Sequence, residues 1–154
     1  MILNEIQKKM IGDWGGSNLL RTPWLTPPES VSSSKLRVEP VAKGMFLKLT
    51  YTWSHESTPH EGLILVGYDE AEGVATAAWV DSWHQNNKVL PLEGSIEGEK
   101  IDLRGSYKAP TGPDWGWRIV IQSASINDLR IVMYNCPPEG DEELAVQTEY
   151  TRIV

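Results

Sequence analysis

At 154 residues, the chain is long enough for one well-buried core and too short for two comfortable domains. Its formal charge of −7, with no local run of Lys or Arg, offers no attraction to phosphate backbones or anionic lipid, so neither nucleic acid nor a membrane surface is an expected partner. No apolar stretch approaches the length of a membrane-spanning helix. The lone Cys136 cannot make an internal disulfide, and the start lacks a charged segment leading into an apolar run and cleavage site, so a cytoplasmic setting is expected.

Ile2, Leu3, Ile6 and Met10 recur at three- and four-residue spacing, which predicts a short amphipathic helix over 1–11, stopped by Gly12. From 12 to 154, short runs rich in Val, Ile, Thr, Tyr and Trp alternate with turn signals, the pattern of an all-β sandwich or barrel. Strands are predicted near 13–20, 31–39, 45–54, 62–69, 74–83, 88–95, 100–107, 116–124, 128–136 and 143–153. Lys43-Gly44, Asp69 to Gly73, Glu97-Gly98-Glu99 and Asn127-Asp128 are short links that tolerate positive φ, so consecutive strands should pair as antiparallel neighbours. Thr26-Pro27-Pro28-Glu29-Ser30 reads as a stiff loop, not a linker between domains. The expectation is a single-domain up-and-down β-barrel of about ten strands, 12–154, with the helix closing one end. Pro91, inside a predicted strand, should sit at a bulge or where the ladder is weak.

If strands run alternately up and down, the tight turns share one end with the helix. The links Thr22 to Ser30, His55 to Glu61, His84 to Asn87, Ala109 to Asp114 and Pro137 to Glu142 share the other. That arrangement predicts a closed base and an open mouth, with all three histidines, His55, His60 and His84, at the mouth. Period two puts Leu47, Leu49, Tyr51 and Trp53 on one face, as it does Ile101, Leu103 and Tyr107; Trp117, Ile119 and Ile121; and Leu129, Ile131 and Met133. These faces are assigned inward, because their opposites carry Lys48, Asp102, Arg104, Arg118 and Arg130. On the last strand Leu144, Val146, Thr148, Tyr150 and Arg152 share the inward parity.

Seven tryptophans against one phenylalanine supply either an aromatic core or a stacking surface for a flat ligand. The strongest candidate site is Trp79-Val80-Asp81-Ser82-Trp83, where alternation puts a carboxylate between two indoles, above Ala75 and Ala77. Desolvation disfavours a charged carboxylate unless donors or a cation meet it, and such groups collect at functional sites. A fixed internal strut, held by indole or hydroxyl hydrogen bonds, is the alternative. With Tyr51, Trp53, Tyr107, Trp117, Met133 and Asn135, these residues describe an aromatic pocket with a few polar anchors, suited to a small apolar ligand.

Gly12-Asp13-Trp14-Gly15-Gly16, at the helix–strand junction, resembles the Gly-x-Trp signature of calycin barrels, the lipocalin and fatty-acid-binding-protein type. The resemblance implies that Trp14 plugs the closed end and that a basic side chain of the last strand, here Arg152, packs across its indole. More closely, the chain resembles the family called domain of unknown function 1579. That likeness is carried by Gly12 to Gly16, Gly67-Tyr68-Asp69, Trp79-Val80-Asp81-Ser82, Met133-Tyr134-Asn135 and Tyr150-Thr151-Arg152. It implies a calycin-like barrel and brings no settled activity.

His55-Glu56 and His60-Glu61 do not make a zinc site: the histidines are five apart across an expected hairpin loop containing Pro59, where a helical site needs them four apart. Some calycin-like barrels hold haem through a histidine, but in the nitrobindin type it lies toward the C-terminal part, where this chain has none; no metal or cofactor is expected. Cys136 has no histidine nearby in sequence, and neither a Gly-x-Ser-x-Gly elbow nor a phosphate loop is present. Three readings remain: a binding module for a small hydrophobic molecule, a cofactor-independent isomerase or cyclase using Asp81 as acid or base, and a structural or partner-binding barrel filled by its own side chains. Trp24 and Leu25 are candidates for a lid or for a contact in a homo-oligomer.

Overall fold

The computed structural model describes residues 2–154. The helix α1 (Ile2–Met10) is followed by ten strands: β1 (Gly12–Arg21), β2 (Glu29–Val41), β3 (Phe46–His55), β4 (Thr58–Asp69), β5 (Val74–Asp81), β6 (Leu90–Glu97), β7 (Lys100–Tyr107), β8 (Trp115–Ser125), β9 (Asp128–Cys136) and β10 (Glu143–Arg152). Met1, included in the expected helix, lies outside the described residues. Every strand pairs antiparallel with its sequence neighbours and β1 also pairs with β10, so the sheet closes into an up-and-down barrel without a free edge.

Alternation sorts the faces as expected. Leu47, Leu49, Ile64, Ile101, Leu103, Ile119 and Ile121 are fully buried, while Arg104 and Arg130 stand outside. Arg118 donates to both oxygens of Asp102 on the outer surface. Burying these aliphatic side chains stabilises the barrel by roughly 1.5–3 kcal/mol apiece.

The base is closed by α1, whose Leu3, Ile6 and Met10 are buried against the strands. A helix end leaves carbonyls without partners. Here the Trp14 indole donates to Met10 O at 2.9 Å, and Arg152 donates to Lys9 O and Ile11 O, each at 2.6 Å, and to Ile126 O at 2.9 Å. The Arg152 guanidinium lies 4.2 Å from the Trp14 ring centroid, and the two residues are register partners across β1 and β10. Gly12, at φ 134°, makes room for this: a Cβ there would stand 2.7 Å from the guanidinium.

Three expectations need correction. The link predicted from His55 to Glu61 is a two-residue turn at Glu56 and Ser57, both at positive φ, so Pro59 and His60 belong to β4 opposite Ser54 and Trp53. The strand predicted over 74–83 ends at Asp81, because the next residues fold into a turn closed by Gln85 N to Asp81 O. A bulge at Ala145 reverses the alternation on β10, so Leu144 pairs with Tyr134 on the outer side and not with the inward set. Pro91 lies one residue inside β6, where its ladder with β5 begins.

Candidate functional site

The site is built across three neighbouring strands near the mouth. Tyr51, Gly62 and Asp81 are consecutive register partners on β3, β4 and β5, all with inward parity. Gly62 supplies the space between the other two. A Cβ at that position would lie 2.2 Å from the Tyr51 hydroxyl, so only glycine lets the phenol cross β4 to reach the carboxylate. Tyr51 donates to Asp81 Oδ2 at 2.6 Å, Trp53 Nε1 donates to the same oxygen at 3.2 Å, and Trp79 Nε1 donates to the Tyr51 hydroxyl at 2.9 Å. The other oxygen, Oδ1, accepts from the backbone N–H groups of Trp83 at 2.8 Å and His84 at 3.2 Å. Asp81 thus ties the inner wall to the turn that covers it. Burial and the neighbouring Asp81 charge hold the Tyr51 phenol well above its usual range, so it remains a donor.

That turn places His84 among the indoles. Its ring centroid lies 5.6 Å from Trp53, 5.4 Å from Trp79, 4.8 Å from Trp83 and 5.4 Å from Trp117. Trp79 and Trp117 stack at 5.1 Å, 8° from parallel. Burial lowers the His84 pKa from 6.5 to about 4, against the pull of Asp81, so the ring is neutral at physiological pH. Among the described residues neither ring nitrogen has a hydrogen-bond partner; only the backbone N–H of His84 is engaged. The indole N–H of Trp117 and the Gln85 side-chain oxygen are buried without a partner, whereas His84 itself is half-buried.

Beneath this cap lies a small cavity lined by Asn18, Leu20, Tyr51, Trp53, Asp81, His84, Ile131, Met133, Val146, Thr148 and Tyr150. Its gaps and opening total about 310 Å³, but only about 10 Å³ accommodates the centre of a water molecule, which is room for about one water. On the far wall Thr148 donates to Asn18 Oδ1 at 2.8 Å, and Ser34 and Tyr150 share a hydrogen bond of 2.8 Å, with the Tyr150 phenol pushed by burial up to about 12.

Of the sequence-derived candidates, Tyr51, Trp53, Asp81 and Met133 line the cavity, and Trp79 and Trp117 pack around His84. Trp83 folds back over the mouth, edge-on to Trp53 and against His55. Tyr107 and Asn135 bond each other at 2.5 Å and do not line the cavity. The other histidines take different partners: His60 packs against Trp53 and bonds Ser82, while His55 meets Ser30 at 3.5 Å. Among the described residues no three His, Cys, Asp or Glu side chains converge as a metal site. Cys136 is buried, with its thiol pKa raised by that burial. Sequence reasoning did not single out His84 as the cap, or Asn18 and Thr148 as the polar wall. The signals for that wall are the inward parity of Thr148 and the parity that Asn18 shares with Trp14 and Leu20 on β1.

The fold and site define a closed ten-stranded antiparallel barrel with a helix under its base and a histidine boxed by indoles at its mouth. By sequence, the chain belongs to the family described as Protein of unknown function (DUF1579), whose model matches residues 4–152. Among solved structures it is similar to the crystal structure of Rv2717c from M. tuberculosis, with a TM-score of 0.65 and 14% identity over 99% of this chain and 98% of that one. At that identity the likeness shows the fold alone. No curated protein matches the sequence significantly. No helix among the described residues is long and apolar enough to cross a membrane.

Proposed function

We propose that the protein is a calycin-like barrel that binds a small, largely apolar molecule at its mouth, in the space that the His84 ring fills in the shut form. The observation that carries this reading is His84 itself: a neutral, polar, half-buried ring packed among four indoles, with no protein hydrogen bond to either nitrogen. His84 is only half-buried, so its ring nitrogens remain open to water while its ring faces lie among the indoles. A side chain held in an aromatic box only through its own backbone occupies the place of a ligand. The nine sequence candidates then divide into a box (Trp53, Trp79, Trp83, Trp117), an anchor (Tyr51 and Asp81), a floor (Met133) and an outlying pair (Tyr107 and Asn135). The partner is a small molecule, not nucleic acid or membrane, and a reducing cytoplasm suits the buried Cys136 thiol.

A second reading, a structural barrel filled by its own side chains, is favoured by the cavity's room for about one water. Acid–base catalysis by Asp81 is disfavoured, because its two oxygens already accept four hydrogen bonds and have no lone pair directed at a substrate. Native mass spectrometry of freshly purified protein, with titration of the neutral fluorophore N-phenyl-1-naphthylamine, separates the two. A binding barrel carries an adduct or enhances the fluorophore, more strongly in His84→Ala. If neither protein binds anything, the filled barrel is the correct description.

A further inference from the structure

Resting on the mouth as a binding place, we infer that the ligand it suits is a compact organic cation without hydrogen-bond donors at its charged centre, a quaternary ammonium group seated where the imidazole ring now lies. The imidazole of His84 marks the position. All four indole centroids around it lie 4.8–5.6 Å away, three tilted toward it and Trp83 near-perpendicular, inside the roughly 6 Å within which an indole that presents its face attracts a cation.

Charge points the same way. Asp81 is 6% exposed, and no Lys, Arg or His among the described residues forms a salt bridge with it. Its four donors are a phenol, an indole and two backbone amides, all uncharged. His84 is neutral. The mouth therefore encloses one negative charge without a counter-ion, and a cation in place of the imidazole would interact with it through a poorly screened medium. Because the carboxylate is already saturated with donors, an ammonium carrying N–H groups would find no acceptor for them and would lose its hydration. A quaternary centre has no N–H to satisfy. It meets the indoles by electrostatics and dispersion, and the carboxylate by charge alone.

The test compares choline with its neutral carbon isostere, 3,3-dimethyl-1-butanol, in His84→Ala, where the box is vacated. Calorimetric titration should show choline binding at least about tenfold more tightly than the alcohol, and Asp81→Asn added to His84→Ala should reduce that ratio. The same two ligands titrated into the wild-type protein, read by the indole N–H resonances of Trp53, Trp79 and Trp117, should keep the order with weaker affinity. This arm decides the matter if the variant does not fold. Equal binding of the two ligands overturns the charge preference and leaves a barrel that binds neutral molecules. Failure of both to bind while N-phenyl-1-naphthylamine binds also overturns it, again without touching the broader reading.

Discussion

Substituting Gly62 by alanine probes the inner wall most directly. The added Cβ would lie 2.2 Å from the Tyr51 hydroxyl oxygen and 2.3 Å from the ring carbon that bears it, so the phenol must move. Overpacking of this kind costs about 1–3 kcal/mol. Displacement also removes the Tyr51 bond to the Asp81 carboxylate and the bond from Trp79, worth about 1.5–3 and about 0.5–1.5 kcal/mol respectively. The expected loss is about 3–7 kcal/mol, a large part of the roughly 5–15 kcal/mol that holds a domain folded. In a Tyr51→Ala background there is no ring to displace, and alanine should be favoured over glycine within a strand by about 0.5–1 kcal/mol. Urea denaturation of the four proteins, followed by tryptophan fluorescence, should therefore show a coupling energy of about 3 kcal/mol or more between positions 51 and 62. Equal cost of Gly62→Ala in both backgrounds, or a cost under about 1 kcal/mol in the wild type, would refute the reasoning.

His84, with a pKa of about 4 in the folded chain against 6.5 as the ordinary value, takes up a proton more readily when unfolded. Its contribution of up to about 3 kcal/mol should be complete above pH 6.5 and disappear progressively as pH falls toward 4. Denaturation midpoints between pH 7 and 4 should show this slope and His84→Gln should flatten it; an unchanged slope in the variant would assign it elsewhere. Arg152→Ala should cost about 2–4 kcal/mol by stripping three carbonyls of a charged donor and baring the Trp14 ring. Arg152→Lys should recover less than half, since an ammonium cannot reproduce the planar fork; full recovery in thermal melts would show that charge alone matters.

The barrel was legible because its information is local. Alternation from Leu47 to Trp53 and from Ile101 to Leu103 names the inner face, and Gly44, Gly73 and Gly98, all at positive φ, mark the base turns. The misread turn at Glu56 and Ser57 lacks such a marker, for neither residue is a glycine or asparagine, and Pro59 nearby suggested a longer loop. Alternation was carried two residues too far at Trp83 because the strand is ended by the Asp81 carboxylate, which collects the amides of Trp83 and His84. Within the site, the types of Tyr51, Trp53, Trp79 and Asp81 were readable, but their bonding was not. It depends on Gly62, whose importance lies in what a neighbouring strand needs and leaves no trace in its own surroundings along the chain.

The ladder between β5 and β6 stops at Trp79 and Leu90, so Val80 and Asp81 run on past their neighbour, and the Trp79 carbonyl is met by the side chain of Gln85 at 2.8 Å. One amide side chain thus does the work of a missing rung, at the point where the covering turn leaves the wall. The barrel has a hinge line there: with Ser82 held to Glu61 and His60 on β4, swinging residues 83–89 outward would break the Gln85 bonds to Trp79 and Asp81 and the two amide bonds to the Asp81 carboxylate, yet disturb none of the ten strand pairings that keep the cylinder whole.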